Sequence, residues 1–265
     1  MTTLMPQPVA HRRYGIRQAV HAEFTKLRTL RSTTTTLLAT IGGTLLVTVL
    51  TTSNVRHSRI IAPQTFDPTN QSLTGLALAQ LTIGLLGILM ISGEYGSGTI
   101  RSSLAAVPRR RLLLGAKVIV IAAVSLVAGE LLTFASFFAG RMILSGHAPV
   151  ASLGDPGVLR ALLSAGAYLA LLGMFGLGLG VILRHTAGAI SMFVGVIFLL
   201  PVLLQTLNAH GNPGRFTPEQ ILANSVTAVV PQPGQLSPGL GFVLMCLYCT
   251  VTLGVAMLLL HRRDA

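Results

Sequence analysis

Six apolar runs constrain this chain more than any other feature, because each is close to or longer than the ~20 residues that carry a helix across a hydrocarbon core. They lie at Thr33 to Thr52, Leu73 to Ser92, Leu112 to Gly140, Val158 to Leu183, Ala187 to Leu207 and Leu240 to Leu260. A segment inside lipid must satisfy its own backbone hydrogen bonds, so the runs predict six transmembrane helices and an all-α polytopic membrane fold. The third and fourth are long enough to tilt or to extend beyond the bilayer. Composition agrees: 51% of the 265 residues are hydrophobic and 10% charged, where soluble domains carry about 25% charged. The organisation read from this pattern is a cytoplasmic N-terminus with an amphipathic helix (1–32), a six-helix transmembrane domain (33–260) and a short cytoplasmic tail (261–265).

Charge sets the orientation. With the N-terminus inside, the inner segments hold fourteen Lys and Arg residues, among them Arg12, Arg28, Arg101, Arg109, Arg110, Arg111, Lys117 and Arg262, while the outer ones hold five: Arg56, Arg59, Arg141, Arg160 and Arg215. That bias places both termini in the cytoplasm of a multi-pass plasma-membrane protein. The formal net charge of +12 is explained by orientation in a bilayer, since the positives fall between apolar runs and form no aromatic-studded basic face for nucleic acid.

Before the first run, Ile16, Val20, Phe24, Leu27 and Leu30 recur at helical spacing while Arg17, Lys26, Arg28 and Arg31 take other faces. This predicts a basic amphipathic helix in the headgroup layer of the bilayer. It lacks the short basic region and small-residue cleavage site of a signal peptide. Met1 to Ala10 is short and polar and reads as disordered.

The loop 93–111 is the one long polar segment between apolar runs with ordered local signals. Gly93, Gly96 and Gly98 let the chain leave the preceding helix, and Thr99 can cap a short helix beginning at Ile100, which Pro108 ends by excluding Val107 from helical geometry. Ile100 and Leu104 form an i, i+4 apolar knob, and a helix this short needs a partner groove. On the opposite side, Thr217-Pro218-Glu219-Gln220 has the signature of a helix start. With Leu222, Val226, Val229 and Val230 it predicts a re-entrant or interfacial outer helix over 217–230.

Gly166, Gly173 and Gly180 recur every seven residues and Gly176 with Gly180 makes a G-x-x-x-G step, a face for close packing on a neighbouring helix or a second subunit. Two ionisable side chains stand inside the spans. Lys117, near the inner end, can snorkel; Glu130 is deeper, with substrate contact, a proton path and an interhelical bond all open. No catalytic set is present: there are no paired carboxylates, no Ser-His-acid constellation and no His cluster. Cys246 and Cys249 form a lone C-x-x-C inside an apolar run, where packing explains them, and no metal site is predicted. The two lysines, Lys26 after Thr25 and Lys117 after Ala116, lack the preceding Gly of a phosphate-binding loop, so any ATP hydrolysis belongs to another chain.

Ser92-Gly93-Glu94-Tyr95-Gly96-Ser97-Gly98-Thr99-Ile100-Arg101, with Leu104, Pro108, Arg110 and Lys117 downstream, resembles the cytoplasmic signature of type-2 permeases of ATP-binding-cassette (ABC) transporters. Ala22-Glu23-Phe24-Thr25-Lys26-Leu27-Arg28-Thr29-Leu30-Arg31 is similar to the entry segment of their actinobacterial branch, although Thr34 to Thr36 stand where that branch often carries Trp. The resemblance implies a half-transporter for hydrophobic or amphipathic compounds such as drugs, antibiotics or lipids. A second permease copy, identical or paralogous, would complete the pathway. Two cytoplasmic ATPase subunits would bind the ATP and Mg, and no cofactor would be bound by this chain. It implies that Glu94, Tyr95, Gly98, Thr99, Ile100, Arg101 and Leu104 form a coupling helix docked in the ATPase, Glu94 finding its partner on that other chain, and that Glu23, Phe24, Lys26, Leu27 and Arg28 belong to an elbow helix. Two readings of other classes compete: an ion-coupled secondary transporter using Glu130, and a non-transporting immunity or scaffold protein.

Overall fold

A computed structural model describes residues 15–29, 31–57, 66–106, 109–146, 149–206, 213–228 and 234–262. Leu30, Val107, Pro108, Val229 to Pro231 and the first ten residues, on which parts of the sequence reading rest, lie outside the described residues. The chain is helical: α1 (Ile16–Thr29), α2 (Arg31–His57), α3 (Pro68–Ser72), α4 (Leu76–Gly96), α5 (Ile100–Ala106), α6 (Arg110–Leu144), α7 (Val158–Leu183), α8 (Thr186–Val194), α9 (Leu200–Thr206), α10 (Pro218–Ser225) and α11 (Pro238–Arg262), with a π-helical turn at Gly195–Leu199 and a 3₁₀ turn at Pro213–Phe216. Six helices are long and apolar enough to cross a membrane: Ser32–Val55, Leu76–Gly96, Arg110–Leu144, Val158–Leu183, Thr186–Thr206 and Pro238–Arg262.

The bundle is built inside out relative to a water-soluble protein. Leu38, Leu46, Leu131, Met142, Leu258 and other large apolar side chains point outward, while α2 turns Thr40, Thr44, Thr48 and Thr52 inward, each almost fully buried. Their spacing of four puts them on one helix face. Such a surface is stable only against lipid, where an outward Leu costs nothing; the Thr44, Thr48 and Thr52 hydroxyls are buried without a hydrogen-bond partner. Thr40 donates to its own Thr36 carbonyl (2.7 Å) and Thr51 pairs with Thr74 of the turn before α4 (2.6 Å).

The centre is α7, the most enclosed span, packed on α4, α6 and α11. Glycine makes the approach possible. A Cβ on Gly176 would run into the Gly84 carbonyl oxygen of α4, and one on Gly87 into the Gly173 carbonyl oxygen of α7. Gly180 lies against Ile88 and Ile91, and Gly166 against the Glu130 carboxyl group of α6. The glycine face read from the sequence therefore packs on this chain's own α4 and α6. Its counterpart, Gly84 and Gly87, was not singled out, because those glycines sit inside a uniformly apolar run.

The fifth span crosses as expected but contains a wide turn. It runs α8, π turn, α9, and the wide turn falls just before Pro201, whose ring would otherwise clash with the carbonyl four residues earlier and which has no N–H to give. Outside the spans, Asp67 caps α3 by accepting from the Thr69 and Asn70 amides and also accepts from Ala228 N (2.7 Å). Arg160 of α7 donates to the Ser225 and Thr227 carbonyls, and the Tyr168 hydroxyl donates to the Pro218 carbonyl. These bonds lay α10 across one end of the bundle. The helix ends at Ser225, short of 230, and Thr217 does not close a capping box: its hydroxyl donates to the Gly214 carbonyl (2.7 Å) and makes no side-chain cap bond.

The Gly84/Gly87–Gly173/Gly176 crossing gives a direct expectation. Gly176→Val should lower detergent-state stability by about 1–3 kcal/mol through overpacking, read as a fall in thermal unfolding temperature. Gly42→Val, on an open face with nothing within 4 Å, should shift it little.

Candidate functional site at the junction of α1, α4, α5 and α6

On α1, Ala19, Glu23 and Leu27 face inward, while Ile16 and Phe24 are exposed. The inward face carries a carboxylate because it meets a buried cation on α6. Lys117 is 1% exposed and does not snorkel; its ammonium donates to Glu23 Oε2 (2.6 Å), Glu94 Oε1 (2.8 Å) and the Met90 carbonyl (3.4 Å). Lys26, one turn from Glu23, donates to Glu23 Oε1 (3.0 Å), Glu94 Oε1 (3.1 Å) and Ser103 Oγ of α5 (3.1 Å).

Two ammonium groups and two carboxylates thus join α1, α4 and α6 at one point, with formal charge balanced, and the Ser103 hydroxyl adds α5. A lysine has three N–H donors and each of these meets three acceptors. Burying such charges is tolerated only with this degree of pairing. Burial lowers the pKa of Lys26, but its hydrogen bonds and attraction to Glu23 and Glu94 outweigh that, so it rises above its ordinary 10.5. One oxygen stays outside the network: Glu94 Oε2 is buried with no hydrogen-bond partner. The expectation that Glu94 would find its countercharge on another chain is corrected, since Lys117 and Lys26 supply it here.

The loop after α4 is short and specific. Gly93 and Gly96 remain helical; the turn comes at Gly98, whose φ of +71° is the left-handed conformation that only glycine adopts readily. Thr99 pairs through its hydroxyl with Ser97 (2.8 Å). Ile100 is 4% exposed and packs in an apolar cluster with Leu86, Ile91, Leu113 and Leu114. It is therefore an internal anchor of α5 and not a knob offered outward; Leu104's side chain lies outside the described set. The exposed face of α5 is Arg101, Ser102 and Ala105. Tyr95 lies under the Arg184 guanidinium of the α7–α8 turn (5.4 Å to the ring centre). Arg28 is exposed on α1. A cavity of about 620 Å³ opens beside the cluster between α1, α2 and α4–α5, lined by Lys26, Ser32, Thr36, Met90, Glu94 and Ser103 among others.

Glu130 is remote from this site, covering Gly166 at the α6–α7 contact with its Oε2 buried and unpartnered. Among the described residues no group of His, Cys, Asp or Glu is arranged to hold a metal ion. Cys249 points its thiol at the Leu171 carbonyl (3.7 Å), and both cysteines are free. Sequence reasoning found Glu23, Lys26, Glu94 and Lys117 singly but missed their convergence and Ser103. A signal was available: the chain has only two lysines among nineteen basic residues, and Glu23 is the only acid before Asp67.

A family model described as ABC-2 family transporter protein matches residues 19–201, a stretch that holds the whole cluster. A comparison with curated proteins returns no match.

Removing the buried cation should be far more damaging than removing the exposed one. Lys117→Met leaves Glu23 and Glu94 short of charge and should cost about 3–5 kcal/mol; Lys26→Met, at a 44% exposed side chain, should cost about 0–1 kcal/mol. Thermal unfolding of the purified variants decides it, and equal losses would contradict the assigned roles.

Proposed function

This chain belongs to the ABC-2 transporter family, and from that we propose that it is the membrane-spanning subunit of an ABC exporter for hydrophobic or amphipathic compounds, driven by a separate ATPase. Two permease chains would enclose the path and two cytoplasmic ATPase subunits would hold the ATP and Mg. Both termini and the 93–111 loop would face the cytoplasm, as the positive charge bias favours.

The observation that carries the reading is the ion cluster. A force applied to α5 from outside the membrane is received by a helix too short to be stable alone, anchored by Ile100 and tied by Ser103 to Lys26. Lys26 and Lys117 share the Glu94 and Glu23 carboxylates, so displacement of α5 loads α1, the end of α4 and the start of α6 together. The surface that receives the force is the exposed face at Arg101, Ser102 and Ala105. Glu94 acts one step behind it, as a positioning residue held by two lysines of its own chain.

Glu130 has a packing role in this reading: its carboxyl group fills the space left by the missing side chain of Gly166. An ion-coupled transporter would depend on it instead.

Arg101→Glu should weaken association with the ATPase subunit at least about ten-fold, equivalent to ~1.4 kcal/mol, and reduce ATP-driven flux in proteoliposomes while leaving thermal unfolding unchanged. Undiminished flux would remove α5 from the contact. Glu130→Gln should transport nearly as well as the parent chain. Loss of flux there, together with transport by the isolated chain without any ATPase, would replace this reading with secondary transport.

A further inference from the structure

The ends of α6 and α11 form a second charged locus that the coupling reading does not use. Arg110 donates through Nη1 to the Leu260 carbonyl (2.6 Å), satisfying one of the unpaired carbonyls at the end of α11, and Arg111 Nε donates to His261 Nε2 (3.2 Å). These two bonds hold the helix ends side by side. Between them lies a pocket of about 480 Å³ lined by Arg109, Arg110, Arg111, Leu112 and His261. None of these lining residues is acidic. Arg109 and Arg111 are exposed, and Arg262 is exposed one residue beyond His261. Arg109 is also the N-cap of α6 and makes no side-chain cap bond.

Below the pocket the two helices present apolar, outward faces. From Arg111, steps of four lead to Gly115 and Ile119; from His261, steps of three and four lead to Leu258 and Gly254. Ile119 is 47% and Leu258 59% exposed, and a Cβ at Gly115 or Gly254 would meet nothing within 4 Å. A cationic pocket standing over a shallow apolar surface with a glycine on each wall fits a ligand with an anionic phosphodiester head and acyl chains.

We propose that this locus binds the headgroup of an anionic phospholipid, with Arg109 and Arg111 on the phosphate and the chains lying along Gly115–Ile119 and Gly254–Leu258. Such a lipid joins α6, which carries Lys117, to α11. A basic pocket between spans at the membrane surface takes this class of ligand by charge and by the two-phase shape of the site.

The test uses the purified full-length chain without any ATPase, so its failure is separate from failure of the transport reading. Native mass spectrometry compares retention of phosphatidylglycerol and phosphatidylcholine of the same acyl chains. The parent chain should retain phosphatidylglycerol preferentially, and R109Q/R111Q should retain it at least about ten-fold less, the loss expected of two charges at a membrane surface. Gly115→Leu should weaken retention of the diacyl lipid without altering the charged pocket. Equal phosphatidylglycerol retention by R109Q/R111Q overturns the proposal. So does displacement of the lipid by inorganic phosphate at equal concentration, which would mark a site for the free anion.

Discussion

A single ammonium group buried among carboxylates governs how this molecule is put together. Lys117 lies on a long apolar helix that could have continued without it, and its charge can be accommodated there only if other helices bring oxygen to it. Glu23 must come from before the first span and Glu94 from the end of the second. The fold consequently draws α1 inward against α6 in place of letting it float by its greasy face, which is why Phe24 and Ile16 point outward. Lysine suits the task better than arginine, since a compact head with three donors can meet oxygens from three directions whereas a planar fork cannot. Arginine supplies every other basic side chain of the protein, and lysine appears only at this junction.

Around that junction the frame is rigid for a different reason. At the α4–α7 crossing the backbones touch through paired glycines, so contact is set by main-chain atoms with no side chain to rearrange. A lipid-exposed bundle cannot rely on the hydrophobic effect to press its helices together, because the tails outside are as apolar as the leucines. Close backbone approach at glycine takes over that role. The fifth span, with its wide turn before Pro201, and α11 are less enclosed than α7 and pack against it from one side each.

Much of this was legible in the residues. The span count and helical class followed from run length alone, because the lipid requirement is so restrictive. Individual cluster members were visible as charges in unfavourable surroundings. What a linear reading could not supply was their meeting: Glu23 and Lys117 are 94 residues apart, and nothing local says that one answers the other. The error over Ile100 has the same origin, since an i, i+4 pair on a short helix looks alike whether it points into its own bundle or away from it. Thr217 is the N-cap of α10 as its sequence indicates, but its hydroxyl donates to the Gly214 carbonyl and makes no side-chain cap bond. Even the π turn had its marker in Pro201, which an apolar window averages away.

The scarcity of lysine has a practical side. Of the two ε-amines, one is sealed inside the bundle and the other, on Lys26, stands at the rim of a cavity with 44% of its side chain exposed. Reagents that acylate amines therefore meet one accessible lysine side chain, and it is the one that ties α1 to α5. Neutralising that nitrogen by a single covalent adduct would sever the strap between the two helices while leaving Lys117 and its carboxylates in place, giving chemical access to the junction without altering the gene.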